Sequence, residues 1–111
     1  MEIELSRMGK AVVVGVKGRI ATEDAALFEA RCDQYIQKGE KNLVFDFTDL
    51  EYLSSSGLRG ILSVAKKLKP LGGKVVIAGV KGKVQEIFEI AGFTDMFPMC
   101  DTLEDAVRHV V

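Results

Sequence analysis

The chain has 111 residues, with 15 Lys and Arg side chains against 16 Asp and Glu, so its formal net charge is −1. This length is typical of one domain, and a hydrophobic share of 48% argues against intrinsic disorder. The balanced charge argues against a nucleic-acid partner, and no apolar run approaches the roughly 20 residues that cross a bilayer. We therefore expect a single domain over residues 1–111, with no nucleic-acid partner and no direct membrane insertion.

The first half of the chain alternates strands with one helix. Residues 1–5 alternate apolar and charged side chains, as a half-buried strand does. Residues 11–16 form a largely β-branched run, typical of a strand covered on both faces, and the short connection predicts an antiparallel hairpin. Thr22 is a candidate N-cap for a helix that ends at Gly39. Residues 43–47 then form a third, nearly all apolar strand.

The second half of the chain contains three predicted helices and one or two strands. The first of these helices covers about residues 57–69. Its predicted core face consists of Leu58, Ile61, Leu62, Ala65 and Leu68. Residues 75–78 form a fourth strand, the next helix ends at Gly92, residues 97–99 are at most a short edge strand, and Thr102 caps a last helix. The alternation predicts an α/β fold with a mixed sheet of four to five strands and four helices packed against it.

The two cysteines and the N-terminus indicate the compartment. Cys32 and Cys100 are far apart and lack the close spacing of a metal site. Two thiols are the preferred interpretation, and one disulfide is the alternative. The first ten residues contain no apolar stretch of the kind found in a signal peptide. These observations favour a cytoplasmic protein.

Three consecutive serines precede the second predicted helix and are followed by a glycine: Ser54, Ser55, Ser56 and Gly57. Serines at a helix start satisfy free backbone N–H groups, so capping explains one of them. Helix N-termini also favour anions. A phosphate on Ser56, or alternatively on Ser55, would add about 1.5 to 2 negative charges to a nearly neutral chain. Capping and phosphorylation are both compatible with the local sequence.

The same helix carries a second pattern, in which Ser56, Gly60 and Ser63 recur at the spacing of one stripe, with Arg59 beside them. We expect this stripe to face outward. Gly60 costs a helix up to about 1 kcal/mol relative to alanine, which a close approach of another backbone would explain. That backbone belongs either to a partner or to a neighbouring loop of the same chain.

Catalysis by the serines lacks the necessary parts. The hydrolase elbow G-x-S-x-G fails because Ser54 stands two residues before Ser56 and Gly57 directly follows it. The only histidine, His109, is expected on the surface of the last helix rather than beside the serines as a base. Asp46 at a strand end is typical of an Asx turn that binds loop amides. We therefore expect no catalytic residue, no metal site and no cofactor.

Four segments together resemble the STAS domain of anti-sigma factor antagonists. They are residues 16–20, 43–59, 87–93 and a closing segment of 97–98 with 103–107, and the resemblance covers essentially the whole chain. The resemblance implies a compact α/β domain that binds an anti-sigma factor, which in many cases is also an ATP-dependent serine kinase. In that family, the unphosphorylated antagonist frees the sigma factor, the kinase modifies the serine before the motif glycine, and a phosphatase resets the switch.

Mapped onto this chain, the resemblance implies Ser56 as the phosphorylated residue. The partner-binding surface predicted from the resemblance and the helix stripe comprises Ser54, Ser55, Ser56, Gly57, Arg59, Gly60 and Ser63. The chain departs from the family motif at Ser54 and Ala21, where the family often has aspartate.

Two other functions and one assembly question remain open from the sequence. A STAS module that is never phosphorylated would act as a scaffold or as a soluble partner of a membrane transport assembly. A small serine hydrolase would instead show ester turnover that is lost in Ser56→Ala. A homodimer could form through the exposed first strand.

Overall fold

The apolar runs of the sequence form the centre of a mixed sheet. The computed structural model describes residues 1–110 and places six strands in that range. They are β1 (Glu2–Met8), β2 (Ala11–Ile20), β3 (Asn42–Asp46), β4 (Leu50–Leu53), β5 (Lys74–Ala78) and β6 (Met99–Cys100). Five α-helices accompany them: α1 (Ala25–Gln37), α2 (Ser55–Leu68), α3 (Gly82–Ile90), α4 (Phe93–Met96) and α5 (Leu103–His109). In this part of the chain, no helix is long and apolar enough to cross a membrane.

The strand order across the sheet is β1-β2-β3-β5-β6, and β4 pairs separately with the end of β2. β1 and β2 are antiparallel, with Glu2 opposite Lys17 and Met8 opposite Ala11, which confirms the predicted hairpin. The other pairs are parallel. The α/β class with a mixed sheet is therefore confirmed.

Helices cover both faces of the sheet and create two hydrophobic cores. The larger core contains Val12, Val14 and Val16 of β2 and lies under α1, α2 and α3. The smaller core contains Ala11 and Val13 of the same strand and lies under α5. Alternate residues of β2 thus enter opposite cores, as the β-branched run predicts.

All six phenylalanines of the chain form one continuous row in the larger core. Successive ring centroids lie 5.3 to 6.2 Å apart, within the range of favourable aromatic contacts. The row consists of Phe28, Phe45, Phe47, Phe88, Phe93 and Phe97. It connects α1 to α4 across β3 and α3, so it joins most of the elements on this face.

Two short elements and one cap differ from the sequence expectations. β4 and α4 were not predicted, which is why the structure has more strands and helices than the four to five and four expected. The expectation that Thr22 caps the first helix is wrong. Thr22 begins a 3-10 turn, Thr22–Asp24, in which the Asp24 carboxylate accepts the Ala21 N–H at 2.9 Å. The Thr102 cap is confirmed, since its hydroxyl accepts the Asp105 N–H at 3.1 Å.

A polar cluster joins α1 to α2 beside the larger core. The Lys67 ammonium lies 2.8 Å from Asp33 and 3.0 Å from Glu29, and the Ser63 hydroxyl donates to the same Glu29 carboxylate at 2.9 Å. The hydrogen bond from Lys67 lowers the pKa of Glu29, and the bond to Asp33 raises the pKa of Lys67. Beneath this cluster, burial and the nearby Asp33 and Glu29 charges raise the pKa of the Cys32 thiol to about 12. Cys32 and Cys100 are both free thiols.

The free edge of β1 leaves the homodimer untested. In residues 1–110, β1 pairs only with β2, so its outer backbone groups have no strand partner. Exposed Glu2 and Glu4 lie on this strand, and charges on edge strands disfavour unspecific pairing. A homodimer through β1 stays a prediction.

Gly79 allows the end of β5 to approach the loop after β3. Its φ is +78°, and an added Cβ would lie 2.3 Å from Thr48 Oγ1 and 2.9 Å from Thr48 Cα. The Phe47 N–H donates to the Ala78 carbonyl at 2.9 Å immediately beside this contact. Gly72 has a similar φ of +74°, but nothing lies within 4 Å of its added Cβ.

These two glycines give a matched test of the close approach. We expect Gly72→Ala to cost about 1–2 kcal/mol, from the left-handed backbone alone. Gly79→Ala should cost about 1–3 kcal/mol more, because Thr48 must also move. Urea unfolding of both variants measures the two free energies, and equal losses would show that the contact with Thr48 does not constrain the fold.

Candidate functional site

The start of α2 rests on the ends of two parallel strands. Ile20 of β2 pairs with Leu53 of β4, and the Ser54 N–H donates to the Ile20 carbonyl at 2.9 Å. The chain then turns directly into α2, whose N-cap is Ser54. The position of the serine cluster is therefore set by the β2–β4 pairing.

Gly57 lets the first turn of α2 lie against these strand ends. An added Cβ would stand 2.6 Å from Leu53 Cδ1 and 3.0 Å from Ile20 Cγ2, and both side chains are buried. Any side chain at this position would have to displace packed core groups. Gly57 is thus a spacing residue, buried beneath the serines.

The three serines have different environments. Ser54 is only 5% exposed, and its hydroxyl accepts the Gly57 N–H at 3.0 Å, so it is the one serine of the three that caps the helix. Ser55 is exposed. Ser56 is half-buried, and its hydroxyl oxygen accepts a hydrogen bond from Arg59 Nη2 at 3.0 Å.

Further along α2, Gly60 does not lie on an outward-facing stripe, so that expectation is wrong. Gly60 is buried against α1, with Ala25 O at 3.7 Å and Phe28 Cδ2 at 3.8 Å from an added Cβ. The backbone that approaches Gly60 therefore belongs to the same chain, as one of the two alternatives predicted. It is the backbone of helix α1, whereas a loop was expected. Ser63 is half-buried and bonded to Glu29 of the same helix α1.

The predicted core face of α2 is rotated by the presence of α1. Val64, absent from the prediction, is fully buried together with Ile61 and Leu68. The other three predicted core residues are only half-buried at its edge: Leu58, Leu62 and Ala65. Of the predicted partner-binding residues, Ser55 and Arg59 are exposed and Ser56 and Ser63 are partly accessible, while Ser54, Gly57 and Gly60 are buried.

A pair beside the cluster was missed by the sequence reasoning. The Arg19 guanidinium lies 4.3 Å from the centre of the Tyr52 ring, and the two residues are register partners on β2 and β4. Tyr52 is 37% exposed. They directly precede the buried Ile20 and Leu53, so they face the opposite side of these strands. Arg19 and Tyr52 are neighbours because β4 pairs with β2, and the sequence did not predict that pairing.

Within residues 1–110, the groups considered for catalysis lie apart from the serines or have structural roles. His109 lies on α5, which packs on the face of the sheet opposite α2. The Asp46 carboxylate accepts the Thr48 hydroxyl at 2.6 Å and the Thr48 N–H at 3.2 Å, which confirms the expected Asx turn. The geometry instead suits anion binding, since a helix N-terminus and the Arg59 guanidinium both adjoin the Ser56 hydroxyl.

Comparison with known proteins agrees with this arrangement. A family model described as the STAS domain matches residues 2–106. A Bordetella bronchiseptica protein named "Putative anti-sigma factor antagonist BtrV" is 34% identical over 106 residues, 96% of this chain and 91% of that protein. The chain belongs to the STAS-domain family of anti-sigma factor antagonists, as the sequence resemblance implied.

Two solved structures share the fold. The crystal structure of TM1081 from Thermotoga maritima superposes with a TM-score of 0.91 at 20% identity, covering 97% of this chain and 93% of that chain. The Bacillus cell fate determinant SpoIIAA in its phosphorylated form gives a TM-score of 0.80 at 20% identity, covering 99% and 100% of the two chains.

Because Ser54 caps the helix and Ser55 is exposed, alanine substitution of the two serines should change the free energy of unfolding unequally. Ser54→Ala removes the cap on Gly57 N–H and should lower the free energy of unfolding by about 1 kcal/mol. Ser55→Ala removes an exposed hydroxyl and should change it by less than about 0.5 kcal/mol. Urea unfolding of the two variants measures both values. A loss in Ser55→Ala as large as in Ser54→Ala would contradict the assignment of the cap.

Proposed function

We propose that this protein binds an anti-sigma factor with serine-kinase activity, thereby releases a sigma factor, and is switched off by phosphorylation of Ser56. The observation that carries the proposal is that one serine caps the helix while another keeps a hydroxyl that the cap does not use. Ser54 caps α2, so the Ser56 hydroxyl is not required as a cap, and among residues 1–110 its side-chain hydrogen bond is to Arg59. It can therefore accept a phosphate without loss of a structural hydrogen bond in the helix.

Ser56 is a better acceptor position than Ser55 because of what surrounds the phosphate afterwards. Both serines lie in the first turn of α2, where the helix dipole favours negative charge by about 0.3–1 kcal/mol, so the contact with Arg59 distinguishes them. Arg59 already reaches the Ser56 oxygen and can donate charge-assisted hydrogen bonds to the phosphate. Ser55 makes no side-chain hydrogen bond to the described residues, so it is the alternative acceptor.

The partner-binding surface consists of the accessible members of the predicted set. Ser55, Ser56, Arg59 and Ser63 contact the partner in this proposal. The buried Ser54, Gly57 and Gly60 contribute by setting the position of α2 against the strands and against α1.

The switch follows from electrostatics at this surface. A phosphate brings about 1.5 to 2 negative charges to a chain of net charge −1. An unpaired charge buried in an interface costs several kcal/mol, and each 1.4 kcal/mol weakens affinity about tenfold. One phosphate can thus dissociate the complex while the fold persists, and a phosphatase would restore binding. We place this binding role, with no catalytic step on this chain, in the cytoplasm.

Intact mass spectrometry with an anti-sigma kinase and ATP tests the acceptor. We expect the mass to rise by one phosphate, the rise to persist in Ser55→Ala, and the rise to vanish in Ser56→Ala. Unphosphorylated Ser56→Ala should still bind the kinase in a pull-down, whereas Ser56→Asp should bind at least about tenfold more weakly. Unchanged affinity of Ser56→Asp would favour the STAS scaffold that is never phosphorylated.

Arg59 offers an independent test that does not measure binding to the partner. Phosphorylation should stabilise the chain against urea, because the phosphate gains charge-assisted bonds from Arg59. Arg59→Ala should reduce that gain by about 1.5–3 kcal/mol, and Arg59→Lys should restore part of it. Lys66→Ala, further along the same helix, is the matched control and should leave the gain intact. An identical gain in Arg59→Ala would show that Arg59 does not contact the phosphate.

A further inference from the structure

We propose that a groove at the far end of α2 binds an acidic protein segment that inserts large apolar side chains. The groove has a volume of about 420 Å³, within the roughly 300–1,000 Å³ of known ligand pockets. Its lining includes the apolar Leu62, Val75 and Met96 and the basic Lys66, Lys69 and Lys74. It is a second binding surface, and it does not rest on the phosphorylation of Ser56.

The floor of the groove is apolar and lies where the sheet edge is incomplete. β6 pairs with Ile77 and Ala78 of β5, so within residues 1–110 the edge of β5 opposite β3 has no strand partner at Val75. Pro98 precedes β6 and has no N–H with which the ladder could continue. Met96, which ends α4, stands at this place with 51% of its surface exposed. Large exposed apolar side chains next to a concave apolar floor are typical of interaction sites.

The rim of the groove is cationic. Lys66 and Lys69 come from the end of α2 and the following turn, and Lys74 begins β5. Within residues 1–110, none of the three forms a salt bridge, and no carboxylate lines the groove. Asp95 precedes Met96 on α4, but its side chain is not part of the groove lining. Three free ammonium groups therefore surround an apolar floor in a chain whose net charge is −1.

This combination selects one class of occupant. A nucleic-acid backbone is polar throughout and would leave the apolar floor unused. A bilayer surface is flat, whereas the groove is concave. A protein segment that carries Asp or Glu beside Leu, Phe or Met satisfies both the rim and the floor, since complementary charge sets orientation and the buried apolar anchors supply affinity.

The groove is separated from the serine cluster along the helix. Ser56 and Lys66 are ten residues apart on α2, which corresponds to about 15 Å. A phosphate on Ser56 is therefore farther from the rim than the Debye length of about 8–10 Å at ordinary salt. A segment bound in the groove stays bound when Ser56 is modified.

Fluorescence anisotropy with a labelled synthetic amphipathic peptide, Glu on one face and Leu and Phe on the other, tests the proposal on the full chain. We expect saturable binding in the micromolar range that weakens with added salt. A peptide with Lys in place of Glu, and one with Ser in place of Leu and Phe, should each bind at least about tenfold more weakly. Equal binding of either control peptide would overturn the proposal.

Matched variants locate the binding. The double variant Lys66→Glu with Lys69→Glu should reduce affinity at least about tenfold, whereas Lys10→Glu with Lys83→Glu, the same charge change at exposed positions elsewhere, should not. Met96→Ser should weaken binding, whereas Ile90→Ser, at a position that is 88% exposed on α3, should not. Circular dichroism confirms that each variant is folded. If the groove variants bind as the wild type does, the proposal is wrong.

Three further outcomes separate this proposal from its alternatives. Ser56→Asp should leave peptide affinity unchanged, so failure of the kinase switch and failure of the groove are distinguishable. Peptide-induced NMR shifts should centre on Leu62, Val75 and Met96, and shifts centred on Ser56 would overturn the second surface. Vesicles of phosphatidylglycerol should not bind. Vesicle binding that is lost in the Lys66→Glu, Lys69→Glu variant would identify a lipid surface as the occupant instead.

Discussion

The close contact of Gly57 with Ile20 and Leu53 determines the arrangement of the rest of the site. These two side chains end β2 and β4, and α2 can begin directly above them only because Gly57 has no side chain. The contact brings Ser54 within reach of both the Ile20 carbonyl and the Gly57 N–H. It thereby directs the next two serines away from the core. A surface hydroxyl at the helix start is thus a consequence of packing beneath it.

The family often has aspartate at the positions of Ser54 and Ala21, and other groups bind the backbone at both positions in this chain. Ser54, which replaces one of them, still accepts the Gly57 N–H through its hydroxyl, so the cap is retained without a charge. At the other position, the Ala21 N–H is bound by Asp24 three residues later. The carboxylate is therefore present at the turn, but it comes from a different position in the chain. Ser54 thus retains the cap without placing a carboxylate two residues before Ser56.

Much of the sheet could be predicted from the sequence because its signals are local. The β-branched run of β2, the hairpin and the Thr102 cap each depend on residues close together in the chain. β4 and the burial of Gly60 depend on partners that are distant in sequence. β4 has only four residues with no alternating pattern, and it pairs with residues about thirty positions earlier. Gly60 carries no hydrophobic signal, yet α1 covers it, and that coverage rotates the buried face of α2 toward Val64.

The cations at the far end of α2 cannot be explained by helix electrostatics alone. Lys66 and Lys67 lie in the last turn, where positive charge complements the helix dipole. Lys67 is further accounted for by its bonds to Glu29 and Asp33, which fix α1 against α2. Lys74 lies on a strand, outside the reach of that dipole, and Met96 belongs to a different helix. The proposed acidic segment would use their convergence with Lys66 around one apolar floor.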